Sequence, residues 1–148
     1  MRMALAVHLL GAVFWVGGMA FAHFALRSAA AALAPPERLR LLQGIFTRFI
    51  PQVGVAVLAI LLTGGWMVMS LGGFARVGPS IHAMTGLGAV MMAIYAYIVV
   101  VPYRELRRAV AIESWTSAGA AVQKIRKLVL VNLVLGIIVI GIATLPFP

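Results

Sequence analysis

Three histidines, His8, His23 and His82, are the side chains of this sequence best suited to chemistry, and each falls inside a long apolar run. An ionisable group within hydrocarbon is costly, so in such a run it faces the interior of a helix bundle and is by default a functional candidate. His8 lies about five residues into the first run and His82 about two into the third. Helical spacing from His8 gives Gly11, Ala12, Trp15, Gly18 and Met19, and from His82 it gives Thr85, Gly86, Ala89, Ala93 and Ala96. Both stripes are mostly small. Close packing of membrane helices by itself selects Gly and Ala, but a histidine at the mouth of each stripe makes two walls that admit a flat macrocycle with imidazoles as axial ligands to iron. The expected site is a b-type haem held by His8 and His82. Trp15, Gly11, Gly18 and Gly86 shape its pocket, and Arg76 or Arg2 neutralises the propionates.

Other donors define an alternative. Met67 and Met69 end the second run, and Met84 follows His82 closely. Imidazole with thioether suits Cu(I), a soft ion, although methionine also serves as an apolar filler. His23 follows His8 by 15 residues, about 22 Å along a helix, so it belongs near the opposite face and shares no ligand with His8. Asn132, Gln52 and Arg48 are expected near that face too, either as a polar cluster or as separate helix-to-helix hydrogen bonds. The sequence has no cysteine, which removes disulfides, iron–sulfur clusters and thiolate metal sites. Its only acids are Glu37, Glu105 and Glu113, all outside the apolar runs, so hydrolytic catalysis within the membrane is not expected.

The elements that must position these residues follow from composition. Of 148 residues 64% are hydrophobic and 10% charged, whereas a soluble domain is roughly half apolar and about a quarter charged. A span of hydrocarbon about 30 Å thick takes about 20 apolar residues. The expected architecture is all-α, a single antiparallel bundle of four transmembrane helices over about 3–26, 49–71, 80–101 and 128–145. Pro51 should stand in the first turn of the second span, Pro79 opens the third, and Pro146 and Pro148 close the fourth, with no tail beyond. Ala20-Phe21-Ala22 resembles a signal-peptidase site, but the apolar run continues past it and cleavage is not expected.

Charge gives the orientation. Arg27, Arg38, Arg40 and Arg48 lie between the first two spans, and Arg104, Arg107, Arg108, Lys124, Arg126 and Lys127 between the last two, leaving Arg2 and Arg76 for the other side. By the positive-inside rule both basic loops are cytoplasmic. Both termini and the short loop over 72–79 are then external, which in a bacterial inner membrane means periplasmic. The net charge of +9 is accounted for in this way, and no nucleic-acid partner is expected because no basic patch is interleaved with stacking aromatics. Parts of both loops, from Pro35-Pro36-Glu37 and over 106–122, should be helical, lying at the interface or extending the spans.

The segment His8-Leu9-Leu10-Gly11-Ala12-Val13-Phe14-Trp15-Val16-Gly17-Gly18-Met19 resembles the opening helix of CopD-domain membrane proteins, with a histidine followed about two turns later by Trp-x-Gly-Gly. The same spacing is similar to the first helix of HemJ-type protoporphyrinogen oxidases, small bacterial membrane proteins carrying haem b. The HemJ-type resemblance breaks after Gly18, where His23 is only an approximate match to the later histidine of that helix. The resemblance implies copper handling on the CopD side and a haem-dependent membrane oxidoreductase on the other. The residues and the resemblance together point to a b-type haem protein with a redox role, working with quinol, a small oxidant or a redox partner protein. Copper binding or transport is the alternative, and an accessory subunit of a membrane complex, or a homodimer joined through small-residue faces, is the third expectation.

Overall fold

The computed structural model describes residues 1–144, so Leu145 and the expected closing prolines Pro146 and Pro148 lie outside the described residues. The backbone is helical almost throughout. Helix α1 (Arg2–Phe21) passes through a π-helical turn (Ala22–Leu26) into the short α2 (Arg27–Ala30). Helix α3 (Pro35–Ser70) is followed by a 3-10 turn (Phe74–Arg76) and by α4 (Pro79–Val100), and α5 (Pro102–Ala111) and α6 (Trp115–Thr144) complete the chain. Four helical stretches are long and apolar enough to cross a membrane. The protein is a multi-pass, all-α membrane protein.

Two boundaries differ from the sequence reading. Pro51 does not open a helix but sits inside α3, which begins at Pro35 and runs unbroken for 36 residues. A proline in a helix interior removes one backbone bond, and membrane helices tolerate this because neighbours re-satisfy the freed groups. The fourth helix begins at Trp115, the charged stretch before Leu128 continuing it, so that part of the helix expected over 106–122 extends the last span. At about 1.5 Å per residue α3 is about 54 Å long, well beyond the hydrocarbon thickness.

The helices pair as two hairpins. Gly11 approaches Ile60 and the Ala56 carbonyl, and Gly18 faces Phe49, so α1 and α3 run antiparallel. On the other side Asn132 bonds Met91, while Ile98 and Ile125 share a core, so α4 and α6 run antiparallel. Gly136 of α6 meets Val16 of α1 and Met91 of α4, joining the hairpins. One buried cluster, Trp15, Met19, Val53, Val57, Met91 and Leu133, lies mid-bundle. A second lies at the end that carries the basic loops and centres on Leu106, Ala118, Ala121 and Ile125, each almost fully enclosed. Two ion pairs tie that end together, Arg40 to Glu113 at 2.7 Å and Lys124 to Glu105 at 2.9 Å. The opposite end, with the N-terminus and the Gly72–Gly73 turn, is here called the terminal end.

Candidate functional site

His8 lies in the seam between α1 and α3 near the terminal end. Its Nδ1 is 3.1 Å from the Ile60 carbonyl oxygen and 3.1 Å from Thr63 Oγ1. The Thr63 hydroxyl gives its own proton to the Ala59 carbonyl at 2.6 Å, so toward His8 it accepts, and a carbonyl can only accept. Nδ1 therefore carries the ring proton and donates it to both oxygens, leaving the lone pair on Nε2. Gly64 makes the space, because a Cβ there would stand 3.1 Å from His8 Cε1. This is how metal-binding histidines are commonly prepared, one nitrogen tied to a backbone acceptor and the other open.

His82, in the first turn of α4, shows the same preparation on a different face. Its Nδ1 donates to the Gly78 carbonyl at 3.1 Å, one turn back on its own chain, and its ring lies 6.0 Å from that of Phe74. It is exposed. No hydrogen bond or ring contact joins His8 to His82, and α1 packs on α3 rather than along α4.

The small stripes explain the separation. Gly11 and Gly18 are filled by α3, through Ile60 and Phe49, so the stripe below His8 is a packing seam. Gly86 has nothing within 4 Å of a Cβ built on it, and Ala89, Ala93 and Ala96 are exposed, so the stripe below His82 looks out of the bundle. The two expected walls do not face one another. Trp15 is buried, set edge-on to Tyr95 with ring centres 6.3 Å apart, and it works as core. Arg76 is exposed on the 3-10 turn, its side chain folded over Gly72, whose φ of +95° a side-chain-bearing residue rarely adopts.

Of the methionines, Met69 is 73% exposed and Met84 is half-buried on α4. Met67, half-buried, stands one turn beyond Thr63 and Gly64 on the same face of α3. The expected polar cluster of Asn132, Gln52 and Arg48 does not form. Asn132 is buried and donates to the Met91 carbonyl at 3.3 Å, whereas Arg48 and Gln52 are exposed. Thr63 and Gly64 were not among the expected site residues, and the signal available was a threonine well inside the second apolar run, between Gln52 and Ser70 near its ends.

These features define a polytopic helical membrane protein with two histidines at one end, each with its Nδ1 donating to a backbone carbonyl. The CopD family, described as copper resistance protein D, matches residues 43–145, and the chain belongs to that family. The match starts at Gln43 in α3, so the helix carrying His8 and Trp15 precedes it. Neither the curated proteins nor the solved structures contain a match to the chain.

Proposed function

We propose that this protein handles copper at its terminal end, with His8 Nε2 offered to Cu(I) and the Met67 thioether, one turn further along α3, as the second donor. The observation that carries this reading is the double tether on His8 Nδ1, which orients the ring and leaves Nε2 as a ligand. Membership of a family described by copper resistance supports it. Among the described residues no three His, Cys, Asp or Glu side chains converge. An imidazole with a thioether suits a soft, low-coordinate ion that is taken up and released, not a caged structural one. In this reading the terminal end faces the periplasm and both basic loops the cytoplasm of a bacterial inner membrane.

The test is Cu(I) binding by the detergent-purified protein under reducing conditions, in competition with a chromogenic chelator. Wild type should compete, and His8→Ala should lose more than about tenfold in affinity. Equal binding by His8→Ala, or no binding by wild type, would sink the proposal.

A b-type haem is the second reading, favoured by the matching preparation of His82, and it carries a redox role with a quinone or a redox partner protein. Within one chain the residues do not form a haem slot between α1 and α4, so this reading requires His8 to pair with His82 of a second copy. A Soret band that disappears in both His8→Ala and His82→Ala would establish it, and a colourless, copper-loaded preparation would exclude it.

A further inference from the structure

A cavity of about 730 Å³ lies at the other end of the molecule, between the π-turn and α2, the start of α3 and the start of α6. Its rim carries Arg27, Arg38 and Arg126 with His23 one turn deeper, and its floor is apolar, with Leu42, Phe46 and Val129. No acidic side chain lines it. Of the three acids at this end, Glu105 and Glu113 are paired with Lys124 and Arg40, and Glu37 is exposed in the first turn of α3, outside the cavity lining.

Three like charges are thus held around one space by helices whose packing is decided elsewhere. Arg27, Arg38 and Arg126 line one and the same space. The Arg126 Nε is buried and has no hydrogen-bond partner. A buried, unsatisfied N–H on a guanidinium calls for an acceptor, and the guanidinium fork matches phosphate oxygens. The cavity also has more room than a bare anion fills, with an apolar floor leading toward the membrane interior. The π-turn, one residue wider than an α-helical turn and common where helices serve a site, puts Ala22, His23, Phe24 and Leu26 along the wall.

We propose that this cavity binds the phosphate headgroup of an acidic phospholipid, with the phosphate among Arg27, Arg38 and Arg126 and part of an acyl chain along Leu42, Phe46 and Val129. The sequence positions agree: Arg27 directly follows the first apolar run and Arg126 just precedes the last, with Arg38 beside them in the first turn of α3, and basic pockets between transmembrane helices recognise acidic lipid headgroups. The site is independent of copper at the opposite end.

Two measurements test it on the full chain. Native mass spectrometry from nanodiscs of phosphatidylcholine containing a minor fraction of phosphatidylglycerol should show phosphatidylglycerol retained in preference to phosphatidylcholine. Thermal unfolding in detergent should shift upward on adding phosphatidylglycerol. Arg126→Gln should weaken the lipid effect at least about tenfold, and Arg27→Gln, at the exposed rim where folding is not at stake, should weaken it as well. Arg104→Gln, on the exposed face of α5, should not. Inorganic phosphate producing the same shift at comparable concentration would make this a free-anion site and overturn the lipid proposal. Equal retention of phosphatidylcholine, or full lipid response in both Arg126→Gln and Arg27→Gln, would overturn it too.

Discussion

At the scale of single residues, the chemistry of His8 is decided by two oxygens that belong to another helix. Thr63→Val removes the side-chain acceptor while keeping the volume, leaving Nδ1 with the Ile60 carbonyl alone. Copper affinity should then fall about tenfold while the helical content stays as in wild type, as chelator competition and circular dichroism will read. A smaller loss than in His8→Ala distinguishes orientation from ligation. The sequence made His8 conspicuous, because an imidazole among leucines is expensive. It could not single out Thr63 or Gly64, whose roles depend on the register of α1 against α3. The same limit applies to the small residues: period and size mark a close-packing stripe, but not whether a helix already fills it, as Phe49 and Ile60 fill the stripe of α1.

At the scale of elements, that contrast is measurable. A methyl group on Gly18 would collide with the Phe49 ring, while one on Gly17 meets nothing within 4 Å. Gly18→Ala should cost about 1–3 kcal/mol as the ring is displaced, and Gly17→Ala should change stability by no more than about 1 kcal/mol, both read from reversible unfolding in mixed detergent micelles. The spans themselves were legible because hydropathy answers to the bilayer, whatever the packing. Their ends were less so. Pro51 reads as a helix start by its lack of a donor, and only the continuous backbone from Pro35 shows it in the interior. Helix was expected over 106–122, but not its division at 112–114 into α5 and α6, nor its continuity with the last span; the charges before Leu128 form one face of a helix whose other face, Ala118, Ala121 and Ile125, is buried.

At the scale of the whole molecule, charge asymmetry predicts a definite orientation, and the absence of cysteine makes it simple to test. Ala75→Cys on the short loop should react with an impermeant maleimide added to intact cells, and Ala32→Cys in the turn before α3 should react only after permeabilisation. The opposite pattern would invert the orientation and move His8 to the cytoplasm. The length of α3 adds a further consequence. Hydrocarbon accounts for only about 20 of its 36 residues, so its first turns stand in water beside α5 and the start of α6, where the most enclosed side chains, Leu106, Ala118 and Ile125, are found. Water drives apolar burial and lipid does not. The two hairpins are therefore clamped at one end by a small aqueous core and joined along the membrane by lipid-dependent contacts such as Gly136 on Val16. Like a clothes-peg, the bundle has its spring at the basic end, where its most enclosed apolar side chains lie, and none of these stands at the far tip with His8 and Met67.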